Sequence, residues 1–380
     1  MHDTILTNAR LVLPAEVVAG SLSIVDGTIR AVDPGTTSVA AAEDLEGDYL
    51  IPGLVELHTD HLESHFSPRP GVAWNPIAAV QSHDAQIAAS GITTVLDALR
   101  VGSDNDKTDV ANHMRTLADA ITAAGKAGRL RAEHFLHLRC EIASPNVVSE
   151  AEAFLDHPAL KLVSVMDHTP GQRQFVSLDK FREYYKGKVG MSDAELDAFI
   201  AERHALHDRH AAPNRASLYH QCRNSEIVLA SHDDATEAHV VEAIEAGVVL
   251  SEFPTTVEAA GAAHRAGLAV LMGAPNVVRG GSHSGNVSAI DLAEQGLLDV
   301  LSSDYIPFSL LHAAFVLPRR VASITLPEAI RLVTANPARS VGLDDRGEIA
   351  EGLSADLVRV CFEDDVPVVR AVWRKGKRVA

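Results

Sequence analysis

Eight short apolar segments, each running into a polar cluster, constrain the fold of this chain more than any other feature. They are residues 54–60 (LVELHTD), 93–99 (TTVLDAL), 134–142 (HFLHLRCEI), 160–168 (LKLVSVMDH), 227–234 (IVLASHDD), 247–255 (GVVLSEFPT), 268–276 (LAVLMGAPN) and 300–305 (VLSSDY). Near-continuous apolar runs of this length read as strands covered on both faces, as in a parallel sheet. Helical patterns lie between them. Residues 76–90 stop at Gly91, 235–246 at Gly247 and 256–266 at Gly267, glycine just past a helix end being the expected stop. Thr255 with Glu258, and Thr325 with Glu328, read as capping boxes, and Asn336-Pro337 is expected to help end a last helix over 326–335. Eight such units predict an α/β fold, a (β/α)8 TIM barrel, over residues 53–342. The flanks alternate in a β manner over 4–33 and 347–378. Neither flank is expected to be stable alone. Residues 1–52 and 343–380 are therefore expected to pair as a small β-sandwich domain built from both termini.

In such a barrel the chemistry sits at the C-terminal ends of the strands. His58 and Asp60 close the first segment, and residues i and i+2 of a strand point the same way. Glu141 ends the third, His232 the fifth and Asp304 the eighth. Histidines and carboxylates converging on one face can hold divalent metal. The set His58, Asp60, Glu141, His232 and Asp304 is too large for one tetrahedral ion, so two ions per chain are expected. Zinc suits this mixture best, with manganese or iron possible. Asp304 is the expected catalytic residue, holding or accepting the proton of the attacking water. Cys140 alternates with Glu141 and should face the outer layer of the barrel.

Several segments read as anion-binding. Residues 276–286 (NVVRGGSHSGN) are expected to form a long loop in which Gly280, Gly281 and Gly285 let the backbone approach a ligand. Arg279, Ser282, His283 and Ser284 would contact phosphate there. Arg173 follows the fourth strand and opens the longest insertion, residues 169–225, expected to act as a lid. Arg69, stiffened by Pro68 and Pro70, is a further anion contact. His83 and Asp84 are expected to support the site from the first helix, and His61 and His65 to point elsewhere.

The net charge of −18 argues against a nucleic-acid partner, which needs a basic face. A phosphorylated small-molecule substrate remains compatible, because distant carboxylates are screened over about 8 Å at physiological salt. The apolar runs are too interrupted to span a bilayer, and Asp3 and Asn8 break any signal peptide. Three cysteines make no disulfide framework, so reduced thiols in the cytoplasm are expected. A homo-oligomer, a dimer, is the expected assembly.

Pro-Gly-Leu-x-Glu-x-His at residues 52–58, a late strand-end aspartate and residues 347–357 (GEIAEGLSADL) resemble the amidohydrolase superfamily. Two departures stand out: His-x-Asp replaces the superfamily's His-x-His, and Glu252 stands on the sixth strand, which usually supplies a histidine. Both fit a branch active in phosphonate catabolism beside the carbon–phosphorus lyase. The stretches 56–75, 82–98, 166–175, 230–236 and above all 277–286 (VVRGGSHSGN) are similar to that branch. The resemblance implies hydrolysis of alpha-D-ribose 1-methylphosphonate 5-triphosphate to the 5-phosphate and pyrophosphate. It also brings in His168, which ends the fourth strand beside Asp167, where the superfamily often has a bridging lysine. Bridging is assigned to Glu141, with Asp167 or His168 as the competing ligand. Two other readings stay open, C–N hydrolysis by a deacylase or deaminase and a non-enzymatic assembly protein on the same scaffold.

Overall fold

The computed structural model describes residues 4–102, 110–175, 178, 181–182, 186, 191–223, 225–282 and 285–380. His283, Ser284, Tyr184, Tyr185 and Lys188 lie outside the described residues.

The N-terminal flank forms β1 (Thr4–Val12), β2 (Val17–Val25), β3 (Thr28–Pro34), β4 (Glu43–Asp44) and β5 (Tyr49–Pro52). The eight apolar segments form β6 (Leu54–Thr59), β7 (Ile92–Val101), β8 (Glu133–Glu141), β9 (Leu160–Met166), β10 (Val228–His232), β11 (Leu250–Glu252), β12 (Ala269–Gly273) and β13 (Val300–Ser302). The C-terminal flank adds β14 (Leu357–Glu363), β15 (Val366–Arg374) and β16 (Lys377–Arg378).

Strands β6 to β13 pair in sequence order, all parallel. A parallel bridge between Thr59 and Asp304 joins the first strand to the end of the last and closes the barrel. Alternation sorts each strand into two faces. Val55, Leu57, Leu96, Leu162, Ala230, Leu250, Leu271 and Val300 fill the interior, with Val341 and Leu343 packed against them. Leu136, Leu138, Cys140, Val163 and Val165 face the outer helices, so Cys140 lies in the outer layer as its alternation implies. Gly53, between β5 and β6, is glycine because no side chain fits there: a Cβ would sit 2.2 Å from Thr93 Oγ1.

The flanking strands make one mixed sheet in the order β16-β15-β14-β5-β1-β2-β3, with β4 beside β1. The sheet curls so that its ends meet. Thr28 bridges Ser354, and the Gly27 and Gly376 backbones both bond to Ala355. This encloses a second core of Leu6, Leu11, Leu22, Ile24, Ile29, Leu357 and Trp373. The expected sandwich is thus a single sheet folded over its own core. No helix among the described residues is long and apolar enough to cross a membrane.

Helix boundaries follow their caps, with two corrections. Helix Val257–Arg265 starts at Thr256, whose hydroxyl accepts from Ala259 N, while Thr255 bonds to the Asp234 carbonyl. The box at Thr325 and Glu328 is present, but helix Leu326–Arg331 ends early. Asn336-Pro337 lies inside the next helix, Ala335–Ser340, because proline is tolerated in a first turn. The insertion contains helix Asp193–Cys222, capped by Ser192 and Glu195. Its C-terminal half packs Leu218, Tyr219 and Cys222 on the barrel like any outer helix. Its first half buries Leu196 and Ile200 against Phe181.

At the N-terminal end of the barrel Arg346 is buried and donates to Thr94 Oγ1 at 2.8 Å and to Asp345 at 2.8 Å. It also pairs with Glu133, which is partly exposed. Arg346→Leu should cost about 2 kcal/mol, less than a fully buried pair because water reaches Glu133. A lowered unfolding midpoint with unchanged turnover is expected, since the strand ends expected to carry the chemistry lie opposite; lost turnover in the folded variant would contradict this.

Candidate metal centre at the barrel mouth

Three imidazoles meet over the barrel core, each backed by a buried carboxylate. His58 at the end of β6 and His232 at the end of β10 both direct Nδ1 at Glu252, at 3.2 Å and 3.1 Å, one to each carboxylate oxygen. His232 and Glu252 are register partners on neighbouring strands, which brings the carboxylate beneath the rings. His168, two residues past β9, directs Nδ1 at Glu141 Oε2 at 2.8 Å. A carboxylate on one ring nitrogen fixes the tautomer and leaves the other nitrogen as a lone pair for metal. All three rings are therefore set to present Nε2.

Asp233 supplies the next donor. Its Oδ2 lies 3.6 Å from His232 Nε2 and 3.7 Å from His168 Nε2. That oxygen is buried and has no hydrogen-bond partner. A buried carboxylate oxygen without a donor is expensive unless a cation completes it. His168, His232 and Asp233 form a group of donor atoms within 4.8 Å of one another. The donor set therefore fits a metal.

The backbone is strained to make this arrangement. Asp233, Phe253 and Asp304 follow the ends of β10, β11 and β13 with φ of 57°, 53° and 54°. The left-handed region costs a non-glycine residue roughly 1–2 kcal/mol. Clustering at strand ends around one mouth is the pattern of strain held at a functional site.

Electrostatics divide the groups. Burial pushes His232 down to about 3, more than Glu252 can offset, and pushes His58 well down as well. Both are neutral at any ordinary pH. Burial also works against charge on His168, yet the neighbouring carboxylates of Asp233 and Glu141, the latter hydrogen-bonded to its ring, raise it to about 10. Burial, with Asp60, Glu56 and Asp233 nearby, raises Asp304 to about 7 despite Arg139. Glu56 lies below, accepting from His58 N and Ser303 N, and burial raises it too.

The residues singled out in the sequence distribute unevenly. His58, His232 and Asp304 line the mouth, together with Arg279 and Ser282. Glu141 stands behind His168 and contacts its ring and backbone N–H. Asp60 is partly exposed and lies 3.4 Å from Arg139 Nη1, past the end of β6. Arg173 is buried and paired with Asp234 and with Glu242, the latter at 3.0 Å, so its guanidinium is held by carboxylates below the mouth. Arg69 is exposed and bridges to Val72. The expected loop over 276–286 is in part helical: Ala274–Arg279 is a helix ending at left-handed Gly280.

Sequence reasoning left out Asp233, Glu252 and Arg139. Glu252 and Asp233 were visible as strand-end acids, but only the register of β10 with β11 shows that Glu252 serves two histidines. Arg139 faces inward between His137 and Glu141 by simple alternation. It lines the mouth beside His58 and Asp304, and its Nε has no partner.

Comparisons with known proteins agree with this architecture. Residues 78–380 match the model of the amidohydrolase family. The chain is 50% identical over 376 residues to alpha-D-ribose 1-methylphosphonate 5-triphosphate diphosphatase of Escherichia coli, covering 99% of this chain and 100% of that protein. Among solved structures, 5-methylcytosine deaminase from Klebsiella pneumoniae superposes with a TM-score of 0.68 at 16% identity, over 99% of this chain and 98% of that one. N-acetyl-D-glucosamine-6-phosphate deacetylase from Mycobacterium smegmatis gives 0.64 at 18% identity, over 99% and 100%.

Proposed function

The chain belongs to the amidohydrolase family, and on that premise we propose that it hydrolyses alpha-D-ribose 1-methylphosphonate 5-triphosphate to the 5-phosphate and pyrophosphate, in phosphonate catabolism. The observation that carries this reading is the 50% identity over essentially the whole of both chains. The mouth supports it with groups suited to an anion: Arg139, Arg279, Asn276 and Ser282 line the same cavity as His58, His232 and Asp304.

His58, His168, His232, Asp233 and Asp304 would hold the divalent metal as two ions, because five donors exceed the four that one tetrahedral ion takes. When bound, a divalent cation supplies a Lewis acid and acidifies water to a pKa of about 7. Glu252 and Glu141 keep the three imidazoles in their working tautomer. Asp304 takes the proton of the attacking water at its carboxylate, which a value of about 7 suits. Arg139 and Arg279 stabilise the charge that develops as the anhydride bond between the first and second phosphoryl groups breaks. Water gives its hydroxyl to one fragment and its proton to the other, so pyrophosphate leaves and the 5-phosphate remains. Carboxylates elsewhere on the surface contribute the net charge of −18, but salt screens them beyond about 8 Å.

Incubation of the purified protein with the triphosphorylated riboside, followed by phosphorus NMR, tests the reading. Pyrophosphate and the 5-phosphate are expected, with activity lost on chelation and restored by zinc or manganese. Release of ammonia or acetate from C–N substrates, with the triphosphate untouched, would overturn it. Arg279→Ala tests the anion contact. A charge-assisted hydrogen bond in a partly desolvated site is worth enough to raise KM for the triphosphate about tenfold. A monophosphate analogue should suffer less, and metal content should not change. Equal losses on both substrates would remove Arg279 from triphosphate recognition.

A further inference from the structure

A second histidine cluster lies on the outer wall of the barrel, and the hydrolytic centre does not use it. Asp97 of β7 and His134 of β8 meet there under helix Pro76–Ala89. His83 of that helix places Nε2 2.8 Å from Asp97 Oδ1. His134 places Nδ1 2.7 Å from Asp97 Oδ2 and Nε2 3.3 Å from Asp84. His83 is fully buried, and its Nδ1 has no hydrogen-bond partner. Burial holds this ring neutral, so with Nε2 bonded to Asp97 the unpartnered Nδ1 is a bare lone pair. An unsatisfied buried acceptor of this kind calls for a partner.

Two further imidazoles reach the same place. His61 stands directly before helix Leu62–Phe66, and His65 follows four residues later on the same face. Their Nε2 atoms both meet Gln86 Oε1, at 3.0 Å and 3.1 Å. The ring centroids of His61 and His65 are 5.1 Å apart and lie 6.3 Å and 5.8 Å from that of His83. Three imidazoles on one tetrahedral ion, at nitrogen–metal distances of about 2.0–2.1 Å, have centroids about 5 Å apart. The observed centroids are up to about 1 Å wider than that, so His61 and His65 must leave Gln86 and turn toward His83 Nδ1 to close the triangle. A carboxylate on the far nitrogen of His83 is also the arrangement that prepares an imidazole for metal.

We propose that His61, His65 and His83 form a second divalent-cation site, of the kind three imidazoles select, with Asp97 orienting His83 and the Gln86 oxygen beside the ion. Three nitrogen donors suit zinc or cobalt better than magnesium or calcium. The ion ties the segment directly after Asp60 to helix Pro76–Ala89. This is a bracing role, separate from the chemistry at the mouth.

The test uses the full-length protein with its mouth centre already loaded, titrated with cobalt(II) and then zinc. Wild type is expected to take up about one further equivalent per chain, with a ligand-field spectrum of nitrogen coordination and a raised unfolding midpoint. His61 and His65 are only partly buried. The double variant His61→Gln, His65→Gln should therefore fold, lose that equivalent and its thermal shift, and keep its turnover. Equal uptake and equal thermal shift in both proteins would overturn the proposal. In wild type alone, nitrogen NMR offers an independent reading. Three imidazole signals outside the mouth must move with the added equivalent, and their failure to move overturns it too.

Discussion

Asp304→Asn is expected to lower kcat by roughly a hundredfold or more while the triphosphate still binds. The carboxylate is partly buried at the end of the last barrel strand, and burial together with Asp60 raises it to about 7. A group with that affinity can take a proton at neutral pH and release it in the next step. Asparagine keeps the shape and tolerates the left-handed φ of 54°, so the backbone should not move. What is lost is the proton acceptor and one anionic donor. Steady-state rates and KM on the triphosphate, with metal content measured in parallel, check the prediction. Turnover within a few-fold of wild type would assign proton transfer to another group. A fall explained wholly by lost metal would make Asp304 a ligand only.

Glu252→Gln should be nearly as damaging, through the metal. Glu252 accepts from two histidines at once, one on each oxygen. An amide has one acceptor oxygen and one donor NH2. One of His58 and His232 must then either lose its hydrogen bond or turn its N–H toward the metal. Removing such an orienting carboxylate typically costs 10–100-fold in metal affinity, at about the scale expected here. Turnover at limiting zinc should fall with it and recover in part when zinc is raised. A variant that binds metal as tightly as wild type would show that packing around the rings sets their tautomers. The same logic gives the test for Glu141. Glu141→Gln should weaken metal by way of His168, and less severely, because it holds one ring rather than two.

The barrel was legible because its signals are local. Runs such as LKLVSVMDH are too apolar for any element exposed on one side, and left-handed glycines such as Gly247 and Gly267 mark where helices stop. Strand order then follows sequence order, which is the simplest topology available to eight βα units. The placement of His58, His232 and Asp304 at the mouth was legible for the same reason, since a strand end in a barrel has only one place to go. Two readings of helix ends missed by one position or one helix. Thr255 and Thr256 are equivalent as caps until the Asp234 carbonyl claims one of them. Asn336-Pro337 could stop a helix or begin one, and it begins one.

The roles of the charged residues required contacts between distant segments. Nothing in residues 169–175 says that Arg173 is held by Asp234 and Glu242, 61 and 69 residues away. Read locally it is a free guanidinium at the mouth. Asp60 and His58 look like a pair by spacing, yet β6 ends at Thr59 and Asp60 lies beside Arg139. Glu252 and Glu141 look like ligands by position and stand behind imidazoles in space. The sequence by itself determined the architecture and the face that carries the chemistry, because hydrophobic periodicity and turn residues act over a few positions. Only the tertiary structure decided which carboxylates face the cavity and which brace a histidine, because that depends on register and on partners far away in the chain.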